Sequence, residues 1–167
     1  MDKKKCVFAG TFDPPTLGHK SMVETCLNLF DEVVVGVLVN PAKKPYFSIE
    51  QRLEMLSLCF DEEEKKRIKL KTFTGTVAEL LQQENTKIYA RGIRDSVDLA
   101  YENANFYASK KLDNDLITIY IPCPQEYLHI SSSMVRNSLN FGTPIDEYVS
   151  QAVKEYIENK QRRDGTC

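Results

Sequence analysis

A short segment near the start of the chain concentrates residues suited to binding a phosphate group. It reads Gly10-Thr11-Phe12-Asp13-Pro14-Pro15-Thr16-Leu17-Gly18-His19 and lies between an apolar run at 6–9 and an amphipathic helical pattern. Gly10 permits close approach of a ligand to the backbone. A helix that begins near Gly18 presents unpaired N–H groups and the positive end of its dipole, where His19 can donate a hydrogen bond to phosphate. Because that helix end disfavours added positive charge, we expect His19 to be neutral.

Three further sets of polar residues follow strand-like runs. Lys43 and Lys44 stand in a loop bounded by prolines, and lysine offers phosphate a flexible point charge. Arg91 and Arg94 flank a glycine at a predicted strand-to-helix turn, where two guanidinium groups suit a polyphosphate. The third set, Ser131-Ser132-Ser133, can cap a helix or present hydroxyls and amides to an anion. Each set taken alone also fits a solvated surface or a simple helix cap.

The hydrophobic pattern predicts the fold that brings these sets together. Five strand-like runs, at 7–9, 33–39, 68–73, 87–90 and 116–121, alternate with helical patterns. This alternation predicts one α/β domain over residues 1–167, with a Rossmann-like doubly wound sheet of five parallel strands and flanking helices. Ligands of such sheets bind at the carboxyl ends of strands where the strand order reverses. All four sets of polar residues fall at predicted strand ends.

Local capping signals predict where several helices begin. Ser48 and Thr76 each open a capping box. Thr143 and Pro144 have the residue types of a cap and a first helical position, so we expect the last helix to begin there. From about Lys160 onward the chain is predicted to be disordered.

Composition narrows the class of protein. A formal net charge of −2 argues against a nucleic-acid-binding protein, since such proteins usually carry a surplus of basic residues. No run approaches the ~20 apolar residues of a membrane span, and no hydrophobic signal-peptide segment is present. The five cysteines are scattered and odd in number, which argues against a disulfide framework or a zinc site. We therefore expect a cytoplasmic protein with no nucleic-acid or membrane partner and no metal held by protein ligands.

The sequence lacks the motifs of several other enzyme classes. No Gly-x-Ser-x-Gly segment supports a serine hydrolase, and no motif ties a cysteine to a histidine. The segment at 10–19 is neither a P-loop nor a Gly-x-Gly-x-x-Gly fingerprint. Glu102, in a helix predicted at 95–112, either binds a ribose or adenine or faces solvent; the residues leave both open.

Two motifs resemble those of the nucleotidylyltransferase superfamily. They are Thr16-Leu17-Gly18-His19 and Ile130-Ser131-Ser132-Ser133-Met134-Val135-Arg136. Within the superfamily, residues 4–158 are most similar to the phosphopantetheine adenylyltransferase family. The family's pattern is recognisable at 10–14, 43–47, 91–94 and 98–102.

The resemblance implies a reaction of coenzyme A biosynthesis. The phosphate of 4′-phosphopantetheine would attack the α-phosphorus of ATP in line, releasing pyrophosphate and forming dephospho-coenzyme A without a covalent intermediate. Catalysis of this kind consists of positioning and charge stabilisation. Mg²⁺ would be bound through the substrate phosphates, because no protein cage is apparent. The family also implies a homohexamer.

The same resemblance implies residue roles. The catalytic group would be Thr11, His19, Lys43 and Arg94, with His19 stabilising the α-phosphate. The ATP-binding residues would be Thr11, Phe12, His19, Gly92, Ile93, Arg94, Glu102, Tyr127, Ser131, Ser132 and Ser133. The residues that bind the phosphopantetheine acceptor would be Thr11, Lys43, Val77, Arg91, Asn105 and Ser109.

At a few positions the chain departs from the family pattern, and these departures leave two alternative functions open. Leu17 replaces the usual Asn, and the pair Pro14-Pro15 resembles nicotinate-mononucleotide adenylyltransferases instead. Asn105 and Ser109 differ from the residues that line the family's pantetheine pocket. One alternative is therefore adenylyl or cytidylyl transfer to another small phosphate, such as nicotinate mononucleotide. A second alternative, of another class, is a nucleotide-binding protein without catalysis.

Overall fold

A computed structural model describes residues 4–39 and 44–164 of the 167-residue chain. The strands are Lys5–Gly10 (β1), Glu32–Leu38 (β2), Ile68–Phe73 (β3), Ile88–Ile93 (β4) and Ile117–Pro122 (β5). The helices are Leu17–Leu29 (α1), Ile49–Leu58 (α2), Glu62–Lys65 (α3), Val77–Gln83 (α4), Ser96–Lys110 (α5), Ser132–Phe141 (α6) and Gln151–Asp164 (α7), with a 3₁₀ turn at Gln125–Tyr127. Lys43, predicted to be catalytic, lies outside the described residues.

The five strands form one sheet in the order β3-β2-β1-β4-β5, and every pair is parallel. This confirms the predicted fold class. Strand β2 is fully buried at Val33, Val34, Val35 and Val37, as its almost uniformly apolar, mostly β-branched run predicts for a strand covered on both faces. The chain winds outward in one direction from β1 to β3 and in the other from β4 to β5. The strand order therefore reverses between β1 and β4, which is where a ligand is expected.

Helices cover the two faces of the sheet with separate apolar clusters. The larger cluster joins one face to α1, α2, α6 and α7, and it includes Phe8, Met22, Met55, Val135, Val153 and Ile157. The smaller cluster joins the other face to α4 and α5, and it includes Val7, Ala9, Leu80 and Leu81, with Phe106 packed against it. Cys26 and Cys59 are buried in the larger cluster, where they pack as small apolar side chains. No described helix combines the length and the hydropathy needed to cross a bilayer.

The local capping signals are confirmed at the two predicted capping boxes. The Ser48 hydroxyl accepts from the backbone N–H of Gln51, whose side chain accepts from the backbone N–H of Ser48. Thr76 and Glu79 form the same reciprocal pair at the start of α4. Each box satisfies two N–H groups that the helix itself leaves unpaired.

Three predicted boundaries are wrong. Strand β4 continues to Ile93, so Arg91 and Gly92 lie within the strand and only Arg94 follows it. The last helix begins at Gln151 rather than Pro144, and the segment between places Ile145 and Val149 in the core without helical structure. That helix continues to Asp164, so the predicted disorder from about Lys160 is wrong for residues 160–164.

The misplaced start of α7 has a tertiary cause. Gly142 ends α6 in the left-handed conformation, with φ of 65°. The carbonyl of Tyr148, in the segment that follows, accepts the backbone N–H of Leu17 at 2.9 Å. This contact satisfies the first N–H group of α1, and it holds the segment across the start of that helix. A long-range hydrogen bond therefore outweighs the local cap signal of Thr143 and Pro144.

Candidate active site

A cavity of about 670 Å³ opens at the carboxyl ends of β1 and β4 and extends beneath α5. This volume lies in the range of small-molecule sites, ~300–1,000 Å³. Most predicted site residues line it: Thr11, Val77, His19, Arg91, Gly92, Arg94, Glu102, Asn105, Ser109, Tyr127, Ser131 and Ser132. Phe12, Ile93 and Ser133 are not part of its lining. The cavity thus brings together four segments that are far apart in the sequence.

The cavity has two ends of different character. The polar end lies at the strand ends beside the start of α1 and is lined by Thr11, Gly18, His19, Arg94 and Ser131. The apolar end lies against the sheet face that α4 and α5 cover and is lined by Leu38, Val77, Tyr89, Phe106 and Leu112. One end suits phosphates, and the other suits an uncharged arm of the same or a second substrate.

His19 is held in one orientation by the helix cap of α1. Thr16 is the N-cap residue; its hydroxyl accepts the backbone N–H of His19, and its own backbone N–H donates to Nδ1 of the imidazole at 3.1 Å. Because a backbone N–H can only donate, Nδ1 must be the unprotonated nitrogen. The ring proton is therefore on Nε2, which leaves Nε2 as the hydrogen-bond donor that remains for a ligand.

The electrostatic surroundings keep His19 neutral. Removal from bulk water and the positive charges of Arg91 and Arg94 lower the pKa of His19 to about 4. A second proton on Nδ1 would also break the hydrogen bond from Thr16. The expectation of a neutral histidine is confirmed, and the imidazole is a donor through one N–H rather than a cation.

The ring of Phe12 packs against the ring of His19. Its side chain is 1% exposed, and its ring contacts the His19 ring edge-to-face at a centroid distance of 5.0 Å. Its φ is +48°, in the left-handed region that residues with side chains seldom adopt. A Cβ atom on Gly10 would lie 3.3 Å from this ring, so glycine at that position makes room for Phe12. The Phe12 side chain contributes packing to the site, and its predicted role in ATP binding stays a prediction.

The loop between β1 and α1 is held by side-chain donors from two helices. Arg52 of α2 donates to the carbonyl of Thr11 at 2.9 Å, and Arg136 of α6 donates to the carbonyl of Asp13 at 2.7 Å. The hydroxyl of Ser132 donates to the carbonyl of Pro14 at 2.8 Å. The sequence reasoning did not single out Arg52, although it occupies a position in the inward stripe of α2 with Met55 and Leu56.

The Asp13 carboxylate ties the same loop to the segment after β2. It accepts the backbone N–H groups of Tyr46 and Phe47, each at 2.8 Å. The side chain of Asp13 is therefore engaged in backbone bonds and is buried, at 8% exposed. Asp13 connects the β1–α1 loop to the segment that precedes α2, a role that the sequence pattern did not reveal.

Arg91 and Glu102 form an ion pair in the wall of the cavity. The guanidinium group of Arg91 donates to the Glu102 carboxylate and, at 2.8 Å, to the carbonyl of Ala9. It also lies over the ring of Tyr89, 5.6 Å from the centroid. Glu102 is buried, at 7% exposed, so it does not face solvent as one sequence reading allowed. In this arrangement its carboxylate orients Arg91.

Arg94 is the more accessible arginine. It makes two hydrogen bonds to the Asp98 carboxylate, from Nε at 2.8 Å and from Nη2 at 3.2 Å. These bonds hold the pKa of Asp98 below its usual value. Because Arg94 is partly exposed at the polar end, its guanidinium group is accessible to a phosphate as well as to Asp98.

The three serines have three different tasks. Ser131 is the N-cap of α6 and accepts the backbone N–H of Met134 at 3.2 Å. Ser132 holds the loop through Pro14, as described above, and Ser133 accepts from Arg136 at 3.0 Å. Ser131 and Ser132 line the cavity, whereas Ser133 contacts Arg136, which holds the β1–α1 loop. The start of α6 therefore meets the polar end of the cavity, where its dipole favours an anion.

Comparison with known proteins decides the family. Residues 7–138 match the model of the family described as Cytidylyltransferase-like. The phosphopantetheine adenylyltransferase of Aliivibrio fischeri (strain MJ11) is 34% identical over 160 residues, which cover 96% of this chain and 99% of that protein. The phosphopantetheine adenylyltransferase of Symbiobacterium thermophilum is 37% identical over 156 residues, covering 93% and 95%. The chain belongs to the phosphopantetheine adenylyltransferase family. It is thus a nucleotidyltransferase and not a binding protein without catalysis.

A solved structure supports the fold. The nicotinic acid mononucleotide adenylyltransferase of Plasmodium falciparum, complexed with NaAD, has a TM-score of 0.69 over 97% of this chain and 98% of that chain. Its sequence identity is 20%, so the likeness concerns the Rossmann-like architecture alone.

Two of the departures from the phosphopantetheine adenylyltransferase pattern, Asn105 and Ser109, line the cavity. Asn105 and Ser109 stand on α5 beside Phe106 of the apolar end. Thr118, paired with Tyr89 in the sheet, also lines the cavity, and its buried hydroxyl has no hydrogen-bond partner among the described residues. The apolar end of this family member therefore contains polar groups on two sides.

Proposed function

We propose that the protein transfers the adenylyl group of ATP to 4′-phosphopantetheine, forming dephospho-coenzyme A and pyrophosphate. The observation that carries the proposal is the fixed Nε2–H of a neutral His19 at the start of α1, beside Arg91 and Arg94. This is an arrangement for stabilising charge on a phosphoryl group. The relatives at 34% and 37% identity, named phosphopantetheine adenylyltransferases, support the choice of acceptor.

The polar end would hold the reacting phosphates. His19 would donate its Nε2–H to an oxygen of the α-phosphate, where negative charge grows in the transition state. Arg94 and the start of α6 at Ser131 would hold the other ATP phosphates. Thr11, Arg91 and Lys43 would bind the phosphate of the acceptor, and Gly92, Ile93 and Tyr127 would contact the nucleotide.

The chemistry needs no general base. A phosphate monoester is already anionic at neutral pH, so it can attack the α-phosphorus without giving a proton to the protein. In-line attack then depends on alignment of the two substrates and on donors for the developing charge. A neutral histidine provides such a donor across the physiological pH range, because its pKa is about 4.

The carboxylates that line the cavity are relevant to Mg²⁺ binding because carboxylate oxygens are possible ligands of this ion. Asp98 and Glu102 line the cavity, and each forms an ion pair with an arginine. Among the described residues no group of three or more His, Cys, Asp or Glu side chains could hold a metal ion. We propose that Mg²⁺ takes its oxygen ligands from the phosphates and water, as it commonly does, and neutralises phosphate charge there. A hexameric assembly stays a prediction from the family resemblance, and a cytoplasmic location stays a prediction from the sequence.

The apolar end would receive the pantetheine arm. Val77 and Phe106 offer apolar contact, while Asn105 and Ser109 add polar groups on α5. The arm of phosphopantetheine contains two amides, which suit a lining that is apolar with a few hydrogen-bonding groups.

The same polar groups support a second acceptor. A nicotinate ring carries a carboxylate, and the Asn105 amide and the Thr118 hydroxyl are groups that can donate to one. Adenylyl transfer to nicotinate mononucleotide is therefore the alternative, and it uses the same polar end of the cavity.

The test is pyrophosphate release from ATP and Mg²⁺ with each acceptor in turn. Release with 4′-phosphopantetheine, and not with nicotinate mononucleotide, is the expected result. No release with 4′-phosphopantetheine, together with release on another phosphorylated acceptor, would reject the acceptor assignment. Replacing ATP by CTP in a parallel series distinguishes adenylyl from cytidylyl transfer.

A further inference from the structure

One charged side chain lies buried behind the polar end of the cavity. Arg52 of α2 is 4% exposed. Its guanidinium group donates to the carbonyl of Thr11 at 2.9 Å and, more weakly, to the carbonyl of Ser48 at 3.4 Å. Burial of an arginine is unusual unless a partner compensates its charge.

No carboxylate pairs directly with Arg52 in the described part of the chain. Within residues 4–39 and 44–164, no Asp or Glu forms an ion pair with Arg52. The exposed Glu50 is near enough to interact with it: hydrogen bonds from the backbone and from Ser48, and in lesser part the charge of Arg52, lower the pKa of Glu50. The Glu50 carboxylate nevertheless accepts from the hydroxyl of Ser48, at 2.8 Å, and not from the guanidinium group. Two buried carboxylates of the fold do have cationic partners, since Glu84 contacts Lys69 and Lys71 and Glu102 pairs with Arg91. Asp13, like Arg52, is buried with backbone partners alone.

The position of Arg52 relates this charge to the cavity. Thr11, whose carbonyl Arg52 holds, lines the polar end. The guanidinium group therefore contacts a residue of the cavity wall without lining the cavity itself. A fixed charge in a region of low dielectric acts over a longer range, and is screened less by salt, than one on the surface.

We propose that Arg52 is a positioning residue that holds the Thr11 peptide and supplies a fixed positive charge to the polyphosphate end of the cavity. The inference rests on the proposed function in that it requires an anionic phosphate ligand there. Such a ligand would supply a counter-charge that no ion pair among the described residues provides. Arg52 touches no substrate and acts through Thr11 and through its field.

Two substitutions separate the charge of Arg52 from its hydrogen bond. Arg52→Gln keeps a donor but removes the charge, and Arg52→Lys keeps the charge. If Arg52→Gln is unstable, Arg52→Met takes its place, because an apolar side chain removes the cost of burying a polar group. The matched control is Arg67→Gln, since Arg67 donates to the carbonyls of Leu27 and Phe30 at the opposite end of α1.

The measurement compares three probes by calorimetry: ATP, inorganic pyrophosphate and adenosine. Arg52→Gln is expected to weaken binding of ATP and of pyrophosphate about tenfold. The loss of one buried positive charge near the phosphates has an effect of this order when the effective dielectric constant is intermediate. Adenosine carries no phosphate, so its affinity is expected to change less than about twofold. Arg52→Lys should retain most of the ATP affinity, and Arg67→Gln should lower the thermal midpoint without changing the affinity for any probe.

Two outcomes overturn the inference. One is an Arg52→Gln protein that binds ATP and pyrophosphate as tightly as the unaltered protein. The other is an equal loss for ATP and adenosine, because a purely structural defect does not distinguish charged from uncharged ligands. Failure of the proposed function looks different: the unaltered protein would bind pyrophosphate but release none from ATP with 4′-phosphopantetheine. In that case the pyrophosphate comparison still decides the role of Arg52.

Discussion

Substitution of His19 should reduce turnover far more than ATP binding. His19 presents a single N–H, on Nε2, to the polar end of the cavity. Loss of one such donor to a developing oxyanion costs ~2.7–4 kcal/mol in the transition state, or about 10²–10³ in kcat. In the ground state Arg94 and the start of α6 share the phosphate charge, so a single neutral hydrogen bond contributes about 0.5–1.5 kcal/mol, or up to about tenfold in Kd.

His19 also has a structural role, and the choice of variants must separate the two. His19→Ala removes the acceptor of the Thr16 backbone N–H, with an expected cost of ~1 kcal/mol, or about 2–4 °C in the thermal midpoint. Glutamine is a regular third residue of a capping box and can accept the same N–H. His19→Gln should therefore recover the thermal midpoint while turnover stays well below that of the unaltered protein.

The assay follows pyrophosphate release under single-turnover and steady-state conditions, with ATP affinity measured separately by calorimetry. His129→Ala is the matched control, because this second histidine is exposed and does not line the cavity. It should leave both quantities unchanged. Equal fold-losses of turnover and ATP affinity in His19→Ala would refute the reasoning, since they would assign His19 to binding alone.

Three further predictions concern pH, a helix cap and the buried ion pair. In the unfolded chain His19 has a pKa of about 6.5, whereas in the folded protein its pKa is about 4. Lowering the pH through this window should therefore reduce the free energy of unfolding by up to ~3 kcal/mol, because the unfolded state binds the proton first. In acid titrations followed by unfolding, His19→Gln should lack this component. Ser131→Ala and Ser48→Ala should each cost ~1 kcal/mol in stability, but only Ser131→Ala should raise the KM for ATP, because Ser48 does not line the cavity. Glu102→Gln leaves the Arg91 charge unpaired. Because the Arg91 side chain is 26% exposed and water can solvate part of its charge, we expect the free energy of unfolding to fall by ~2–3 kcal/mol, or about 4–12 °C in the thermal midpoint. A shift below about 2 °C, measured by circular dichroism, would contradict the pairing.

Local sequence signals predicted much of the fold and the location of the site. The β-branched run at 33–39 identified a strand covered on both faces, and β2 is buried as expected. The capping boxes of Ser48 and Thr76 marked the starts of α2 and α4. These features depend on neighbours a few residues apart, which is why a single sequence contains them. The reversal of strand order then placed the polar strand ends at one cavity.

Contacts between distant segments were not predictable in the same way. Arg52 and the carbonyl of Thr11 are 41 positions apart, and a charged residue in a helix is ordinarily assigned to the exposed face. The pairing of Arg91 with Glu102 depends on how α5 lies over β4. The start of α7 was misplaced because the carbonyl of Tyr148 binds the N–H of Leu17. In each case a tertiary hydrogen bond, absent from any local pattern, decides the structure.

Direct competition between acceptors tests the central claim most directly. The protein is incubated with ATP, Mg²⁺ and equal concentrations of 4′-phosphopantetheine and nicotinate mononucleotide, and the products are identified by mass spectrometry. The account predicts dephospho-coenzyme A as the main product, formed in equal amount to pyrophosphate and lost in His19→Ala. Nicotinic acid adenine dinucleotide as the main product, or release of pyrophosphate with neither adenylylated acceptor, would contradict it.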